Sequence, residues 1–341
     1  MNNQNRPNLL IAAALTTGLL SAQVSTQPSI TSQYNYKAID HPNAIATFPL
    51  GINDRGTITG YFVDFSGIGH GFLYKNGAFT EVVDFPGGAQ VPGGGTVAGG
   101  IDNRGVVVGT YTGMDGFQHG FKMTPPEECD VEDGRIFKPV FTTINVPGAA
   151  QTTGIFFELG MGLGTAAIGI ANNGVITGMY ATSGLYSNAF FVDDGHFKHL
   201  DSPMASHLPG DGTKCFGVNS SGAAACDYLT QSSAAAPQFT HGFLYQNGGA
   251  TAIFVPGSDA GGFGTQVNGI NDSNKVVGTF TTPMGSLSGL VWFRGNYFTL
   301  NYPAQPFTEL HSINNHGEIT GAYSTDPSGN SVIHGFVATP K

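Results

Sequence analysis

Short apolar segments recur along the chain, and each is bounded by glycine, proline or asparagine. The clearest marker is an apolar residue followed by a turn residue, usually Asn or Asp, then two further turn residues and a glycine. It occurs six times, and its first residues are Ile52, Ile101, Ile170, Val218, Ile270 and Ile313. The single copy without the final glycine has Asn274, which also tolerates a positive φ. Each marker predicts the turn of a β-hairpin, so the chain consists of six copies of one unit.

Each marker is followed by three more features in a constant order. Four residues after the turn glycine, five copies have another glycine. Two residues later all six have an aromatic residue, namely Phe62, Tyr111, Tyr180, Tyr228, Phe280 and Tyr323. A third segment carries the triplet His-Gly-Phe or a variant of it, and a fourth ends at a proline. Four short strands per unit, all bounded by turn residues, are typical of a β-propeller blade.

The two ends of the chain predict how the units close. Five units have a fourth strand, but the chain ends at Lys341 just after the third strand of the sixth unit. Residues 36–42 have the form of a fourth strand, since they also lead to a proline. We therefore predict an all-β, six-bladed β-propeller of four-stranded blades over residues 34–341, closed by an N-terminal strand that completes the last blade.

Together, the turn, the triplet and the proline-terminated strand resemble the bacterial extracellular HAF-repeat family. The family is named for a recurring His-Ala-Phe triplet, which is mostly His-Gly-Phe in this chain. The resemblance covers residues 36–338, approximately, and it implies an exported β-propeller. It implies no particular reaction and brings no catalytic residue to this chain.

The N-terminal residues 1–23 are predicted to be a signal peptide. Arg6 precedes an apolar stretch over residues 9–20, and the small residues Ser21 and Ala22 follow it. This stretch is shorter than the ~20 apolar residues that a membrane-spanning helix requires. We expect a secreted or periplasmic protein without a membrane span in the mature chain, and a flexible leader over residues 24–33. The alternative is an uncleaved membrane anchor.

Composition and charge exclude several classes of protein. Glycine accounts for 51 of 341 residues and charged residues for 11%, a composition that argues against a coiled coil or a helical bundle. The formal net charge is −10, and the chain has no basic run that could bind a phosphate backbone. We therefore expect no nucleic acid partner. The expected partner is an extracellular glycan or a protein ligand, and the expected oligomeric state is a monomer.

The cysteines of the fourth unit are candidates for a disulfide. Cys215 and Cys226 flank its turn, and Cys226 replaces the second-strand glycine of the other copies. If Asn219 pairs with Gly222, the two cysteines lie directly opposite each other. A bulge in the turn would shift the register by one residue and point them to opposite faces. Cys129 would then remain free.

Repeated histidines and an acidic insertion are the features that most resemble metal sites. The triplet histidines lie on third strands of separate blades, so we expect blade-internal hydrogen bonds, to a turn or loop backbone, rather than a shared metal ion; they are His70, His119, His241 and His334. The acidic residues 127–134 lack the alternating ligand spacing of a calcium loop, which favours a solvated loop. We predict no metal site and assign no cofactor or catalytic residue.

The loops that lead from a fourth strand to the next first strand differ between copies, so we expect function there. Their non-repeating polar residues are the ligand-binding candidates: His41, Glu158, His207, Asp211, Lys214, Asp259, Glu309 and His311. The predicted function is an exported binding or interaction module without catalysis. The alternative is an extracellular carbohydrate-active hydrolase or lyase, whose acid–base groups would lie at the loop-bearing mouth of the channel. A third interpretation is that these are ordinary loop residues.

Overall fold

The computed structural model describes residues 27–126, 138–150, 164–231, 233, 236–329 and 332–341. Within these ranges the chain is all-β, with 24 strands and two short 3₁₀ helices at Thr31–Gln33 and Asp259–Gly261. The predicted signal peptide, the acidic insertion with Cys129, and Glu158 lie outside the described residues.

The strands form six four-stranded units, in which consecutive strands are antiparallel. Unit 1 contains β2 (Ala46–Ile52), β3 (Ile58–Val63), β4 (Gly69–Lys75) and β5 (Ala78–Val82). Unit 2 contains β6 (Thr96–Ile101), β7 (Val107–Thr112), β8 (Gln118–Thr124) and β9 (Val140–Ile144), and unit 3 contains β10 (Thr165–Ile170), β11 (Ile176–Ala181), β12 (Ser187–Asp193) and β13 (His196–Leu200). Unit 4 contains β14 (Gly212–Val218), β15 (Ala224–Thr230), β16 (Phe239–Gln246) and β17 (Gly249–Ile253), and unit 5 contains β18 (Gly264–Ile270), β19 (Val276–Thr281), β20 (Leu287–Phe293) and β21 (Asn296–Thr299).

Unit 6 is assembled from both ends of the chain. It contains β22 (Phe307–Ile313), β23 (Ile319–Ser324) and β24 (His334–Pro340), and its fourth strand is β1 (Tyr34–Ile39). Strand β1 is antiparallel to β24, from the pair Tyr34 and Pro340 to the pair Ile39 and Gly335. The N-terminal segment therefore completes the last unit, as the sequence predicts, and supplies hydrogen bonds that β24 would otherwise lack.

Residues 28–33 are not the flexible leader that the sequence suggests. The amide of Thr299 donates to the carbonyl of Pro28 at 3.0 Å, and the amide of Ile30 donates to the carbonyl of Thr299 at 2.9 Å. The side chain of Thr31 accepts a hydrogen bond from the amide of Asn301 at 3.0 Å. The prediction is wrong for these residues because the free edge of β21 offers backbone groups that need partners.

Neighbouring units pack face to face through apolar clusters. Six such clusters lie within the described residues, and each combines side chains of two neighbouring units. Between units 1 and 2, Val83 and Phe121 are 1% and 0% exposed. Between units 6 and 1, Ile39 and Phe72 are each 1% exposed. Burying one such side chain stabilises a fold by ~1.5–3 kcal/mol, so these contacts hold the units together.

A threonine near the start of each first strand ties successive units to each other. Its Oγ1 accepts a hydrogen bond from the amide of the residue before the proline of the preceding unit. The bond is 2.8–3.0 Å long in all six cases, and the threonines are Thr47, Thr96, Thr165, Thr213, Thr265 and Thr308. The amide would otherwise be unpaired where the chain leaves one sheet and enters the next.

The triplet histidines are structural, but their partners are side chains rather than turn or loop backbone. The Nδ1 atom of His70 lies 2.7 Å from Asp84 Oδ2, and Nδ1 of His334 lies 3.1 Å from Asp40 Oδ2. Both carboxylates belong to the fourth strand region of the same unit. The four imidazole rings also stack on the second-strand aromatic rings, with centroids 5.1–5.2 Å apart. Each histidine therefore braces its own unit.

Cys215 and Cys226 form a disulfide, with Cα atoms 4.0 Å apart. The turn between the two cysteines contains a bulge, because the amide of Asn219 donates to the carbonyl of Ala223 and Val218 pairs with Ala224. This turn alone would place the cysteines on opposite faces. A second bulge, at Phe216, shifts the register back by one residue and sets Cys215 directly opposite Cys226.

Candidate ligand-binding site

The first strands of all six units meet around a central cavity of about 140 Å³. Its wall is formed by the last residues of β2, β6, β10, β14, β18 and β22, together with the turns that follow them. The cavity therefore lies at the turn end of the first strands. From the sequence, function was expected at the opposite end of these strands, where the long loops enter.

Glycines allow neighbouring first strands to approach at backbone distance. The residue before each turn marker is glycine in five units and Ser312 in the sixth. A Cβ atom on Gly51 would lie 2.5 Å from the carbonyl oxygen of Gly99, and one on Gly169 would lie 2.4 Å from that of Phe216. Side chains cannot fill these positions, so the wall of the cavity is made largely of backbone there.

The residue just before each of these positions is the unpaired residue of a β-bulge, and we call it the bulge position. All six bulge positions line the cavity, and they are occupied by Leu50, Gly99, Ile168, Phe216, Asn268 and His311. No two are alike, although the marker and threonine positions around them repeat almost without change. Leu50, Ile168 and Phe216 are only half-buried. The repeat symmetry is thus broken where the side chains face the cavity.

His311 is the ionisable side chain among the six bulge positions. Its Nδ1 lies 2.8 Å from the carbonyl oxygen of Pro49 in unit 1, and a carbonyl can only accept, so Nδ1 carries a proton. The side chain is 4% exposed, and Nε2 has no hydrogen-bond partner. Its neighbour Glu309 Oε2 is 3.6 Å away, which is too long for a hydrogen bond. Nε2 is therefore a buried nitrogen without a hydrogen-bond partner.

Asn268 makes the same kind of contact one unit earlier. Its Nδ2 donates to the carbonyl oxygen of Leu310 at 2.8 Å. Leu310 and Pro49 occupy equivalent places, three residues before their turn markers. The two bulge-position side chains therefore join units 5 and 6, and units 6 and 1, in one shared geometry.

The turns form a hydrogen-bonded rim around the cavity. The amide side chain after the marker residue donates to the backbone carbonyl of the neighbouring turn at 2.9–3.1 Å, and the donors are Asn53, Asn219, Asn271 and Asn314. Asp102 and Ala171 occupy the same place in units 2 and 3 and have no side-chain N–H to donate. The contact from Asn314 to Asn53, at 3.0 Å, joins the last turn to the first.

Two carboxylates of this rim, those of Asp54 and Asp272, line the cavity. Asp54 Oδ2 accepts hydrogen bonds from the side chains of Asn103 and Asn315 at 2.7 and 3.0 Å, and Asp272 Oδ2 accepts one from Asn315 at 2.9 Å. Burial alone would raise the pKa of Asp54, but the hydrogen bonds from Asn103 and Asn315 outweigh it and hold that pKa below its ordinary value. Asp54 is therefore ionised near neutral pH.

A second cluster contains Lys214 and Asp211, two of the residues singled out in the sequence. Lys214 lies opposite Asp227 on the neighbouring strand. All three residues are buried, since Lys214 is 2% exposed, Asp211 0% and Asp227 1%. Burial raises the pKa of Asp227 to about 7, although Lys214 opposes this. Burial also lowers the pKa of Lys214, against the attraction of Asp227 and Asp211. Asp211 accepts a hydrogen bond from Gln238.

Asp227 was not singled out from the sequence, although comparison of the six units could have identified it. The other five units have no acidic residue at its place on the second strand, where the residues are Tyr61, Thr110, Met179, Thr279 and Ala322. Asp227 is the one acidic residue at a position that is otherwise apolar or hydroxyl-bearing. It differs from the other units in the same way as Cys226 does.

Three of the remaining candidates lie apart from one another. His41 stacks on Phe62 with ring centroids 3.7 Å apart, and burial, with a smaller effect from His70, lowers the pKa of His41. His207 pairs with Asp201 at 2.9 Å and is about half exposed, and Asp259 begins a 3₁₀ helix. Glu158 lies outside the described residues. Of the candidates among the described residues, only His311 lines the cavity, and Glu309, whose Oε2 lies 3.6 Å from His311 Nε2, does not.

The described residues contain neither a membrane-spanning helix nor a cluster of metal-binding side chains. In this part of the chain, no helix is both long and apolar enough to cross a membrane. Over the same residues, no three His, Cys, Asp or Glu side chains come close enough together to hold a metal ion.

No family model and no curated protein matches the chain. A solved structure of AofleA from Arthrobotrys oligospora, a triple arginine-to-alanine mutant, has a TM-score of 0.50 at 11% identity and covers 89% of this chain and 86% of its own. The fucose-specific lectin from Aleuria aurantia has a TM-score of 0.44 at 13% identity, with 78% and 77% covered. At this identity the likeness to AofleA concerns the fold alone, which is all-β and propeller-like.

Proposed function

We propose that the chain is an exported, closed six-bladed β-propeller of the HAF-repeat type that acts as a binding module and takes a small ligand in its central cavity. The observation that carries this proposal is the set of six bulge positions, which line the cavity with six different residues on an otherwise repeated scaffold. Repeated positions serve the fold in every unit, whereas these residues are free to serve a ligand.

Contacts between the first and last units support the closed arrangement. Units 6 and 1 share an apolar cluster of the same kind as the other neighbouring pairs. The rim contact from Asn314 to Asn53 repeats the contacts between other turns, and His311 bonds to Pro49 as Asn268 bonds to Leu310. A ring of six units satisfies all of these contacts together.

Half-buried apolar side chains around an internal space support ligand binding. Leu50, Ile168 and Phe216 face the cavity, and a concave apolar wall with a few polar groups is the usual form of a small-molecule site. The proposal assigns no reaction. The carboxylates that line the cavity are Asp54 and Asp272 at the rim, and the lowered pKa of Asp54 makes it a poor general acid for the hydrolase or lyase alternative.

The test uses the purified full chain and a variant that fills the cavity. Thermal shift and calorimetry with a panel of saccharides, polyols and small amides should identify compounds that raise the Tm, because a ligand stabilises the state that binds it. The fucose-specific lectin makes methyl α-L-fucoside a natural member of the panel. Ile168→Phe places in unit 3 the residue that unit 4 already has at its bulge position, and it should abolish the shift.

Ile45→Phe is the matched control, because Ile45 is 46% exposed and does not line the cavity. It should bind ligand as the parent protein does. Equal binding by the parent and Ile168→Phe, or a panel without any binder, would contradict a ligand site in the cavity. N-terminal sequencing of protein exported by a bacterial host tests the signal peptide, for which cleavage near residue 23 is the expected result.

A further inference from the structure

We infer that the loop end of the units is a docking surface for a basic polypeptide, one that presents lysine or arginine side chains beside apolar ones. The loop end consists of the hairpin loops between second and third strands and of the loops that lead from each fourth strand to the next first strand. It lies opposite the turns that surround the cavity, so this inference goes beyond the proposed ligand site and does not depend on it.

Exposed apolar side chains are concentrated at the loop end. Eleven large apolar side chains are well exposed within the described residues, and nine of them belong to loop-end segments. The other two, Val82 and Val140, lie on fourth strands. The four most exposed, at 65–97%, are all in loop-end segments, and they are Phe65, Met114, Met204 and Met284. Scattered surface residues would not favour one end in this way, whereas a surface that binds another molecule does.

The hairpin turns themselves do not require these apolar side chains. Phe65 and Met114 occupy the same place in the turns of units 1 and 2, each next to the residue whose carbonyl accepts the turn hydrogen bond. Ser183 occupies that place in unit 3, so a small polar residue is compatible with the same turn. Because Phe65 and Met114 are largely exposed, they also bury little area against their own chain. Their apolar character therefore serves contact with another molecule.

Backbone hydrogen bonds join neighbouring loops of this end into one surface. The amide of Gly93 donates to the carbonyl of Gly67 at 2.8 Å, and the amide of Gly210 donates to the carbonyl of Leu185 at 2.9 Å. In both cases a hairpin loop is bonded to the loop that enters the next unit. A surface that is formed before binding loses little conformational entropy when a partner docks on it.

The charge of the loop end selects a basic partner. Its described segments contain eight aspartates and neither lysine nor arginine, whereas the described turns at the opposite end contain five acidic residues and five lysines or arginines. Asp40, Asp115 and Asp201 are exposed. A hydrogen bond from the amide of Ile68 lowers the pKa of Asp64, so this carboxylate is ionised near neutral pH. Lysine or arginine side chains of a partner are therefore attracted, and acidic ones are repelled.

The same observations argue against other occupants. Two copies that met at their loop ends would bring like charges together, and none of the eleven exposed apolar side chains lies in a described turn of the opposite end. An anionic lipid surface would be repelled by the aspartates. A glycan would stack on aromatic rings, but three of the four most exposed apolar side chains are methionines, which adapt to polypeptide surfaces.

Binding of synthetic peptides to the purified full chain tests the inference. A peptide of leucine and lysine that forms an amphipathic helix should bind in a calorimetric titration at about pH 8, where an ordinary histidine is neutral. The matched peptide with glutamate in place of lysine should bind at least about tenfold more weakly, and added salt should weaken the binding of the leucine–lysine peptide. A serine–lysine peptide of the same charge should also bind at least about tenfold more weakly, because it has no apolar side chains to bury.

A triple serine variant locates the binding surface. Phe65→Ser, Met114→Ser and Met284→Ser, combined in one chain, should lower the affinity for the leucine–lysine peptide at least about tenfold. The Tm should stay close to that of the parent, because these side chains are exposed. Val140→Ser is the matched control, since Val140 is 62% exposed on a fourth strand, and it should bind the peptide as the parent does.

A second variant tests the charge of the surface. Asp40→Asn with Asp84→Asn introduces the residue that units 2 and 5 have at this place, and asparagine there also contacts the third strand. The double variant should bind the leucine–lysine peptide roughly threefold more weakly, with a smaller dependence on salt.

Several outcomes would overturn the inference. Equal binding of the lysine and glutamate peptides is one, and equal binding of the lysine peptide by the parent and the triple serine variant is another. A dimer in sedimentation experiments, or binding to phosphatidylglycerol vesicles, that the triple serine variant loses would show that the surface has a different occupant. Ile168→Phe should leave peptide binding unchanged, so failure of this inference and failure of the cavity site can be told apart.

Discussion

The Nδ1–H group of His311, in the last unit, donates a hydrogen bond to the carbonyl oxygen of Pro49, in the first unit, across 262 positions of sequence. We expect His311→Leu to lower the free energy of unfolding by about 1–2 kcal/mol, because the buried carbonyl loses its donor. Urea denaturation measures this difference. His311→Asn is the control, and a loss of the same size in that variant would show that the bond to Pro49 is not the cause.

Close backbone approach leaves little room for a side chain at the second-strand glycines. A Cβ atom on Gly60 would lie 2.0 Å from the carbonyl oxygen of Phe48. We expect Gly60→Ala to destabilise the fold by about 2–4 kcal/mol, since the strands must separate to admit the methyl group. Gly249→Ala is the matched control, as its nearest atom would be 3.6 Å away. Similar denaturation midpoints for the two variants would contradict this explanation.

The disulfide of unit 4 should contribute stability without determining the fold. Cys215→Ala with Cys226→Gly gives unit 4 the residue pair of unit 2, where Ala98 lies opposite Gly109. We expect the double variant to retain its β-sheet circular dichroism and to lose about 2–3 kcal/mol, because a closed loop of this length restricts the unfolded chain. The parent protein treated with a reducing agent should show the same retained circular dichroism and the same loss of stability. An unfolded double variant would show that the disulfide is required for folding.

Asp227 should make stability depend on pH. Its pKa is raised to about 7 in the folded protein, whereas an unfolded Asp titrates near 3.9. The folded state therefore binds this proton more tightly, so the contribution is complete below about pH 4 and is lost as the pH rises towards 7. Urea unfolding across this range should show a decline in stability on the order of 1–4 kcal/mol from this group.

Lys214→Gln with Asp227→Thr is the control for this pH dependence. It gives unit 4 the pair of unit 5, where Gln266 lies opposite Thr279. The decline between about pH 4 and pH 7 should be absent in the double variant, because no buried carboxyl titrates at this place. An unchanged pH profile would assign the effect to another group.

The threonine joints between units should each contribute measurably. Thr96 is 0% exposed and accepts a hydrogen bond from the amide of Phe85 at 3.0 Å. We expect Thr96→Val to cost about 1–3 kcal/mol, since it keeps the shape but leaves the buried amide unpaired. Thr251→Val, at an exposed strand position, should change the unfolding free energy by less than about 0.5 kcal/mol. Equal effects at both sites would argue against the joint.

Local patterns in the sequence were enough to predict the strands and their order. The turn markers at Ile52 and its equivalents depend on backbone preferences of a few adjacent residues, and these preferences act in any context. The pairing of residues 36–42 with the last unit followed from counting strands, because an incomplete unit needs a partner for its edge. The threonines at the joints also repeat six times in the sequence, and their role was missed because their partners lie in the preceding unit.

The candidate site was harder to predict from the sequence than the strands were. Among the polar residues chosen from the loops, only His311 lines the cavity, whereas His41 and His207 lie in other packing environments. The ligand-binding candidates were taken from the loops because loops were expected to differ most between the six units. The bulge positions differ just as much, but they lie inside strands, where side-chain variation is usually attributed to packing.

The sequence by itself determined the repeated strand order, the turns and the unit that joins both ends of the chain, because each depends on short segments and on their count. Only the tertiary structure decided which side chains face the centre. A single unpaired residue in a first strand reverses the direction of the side chains on one side of it relative to the other, as Phe216 does between Cys215 and Gly217. The cavity further requires six such strands to approach at glycine contacts across separate units, and no local pattern records the distance between them.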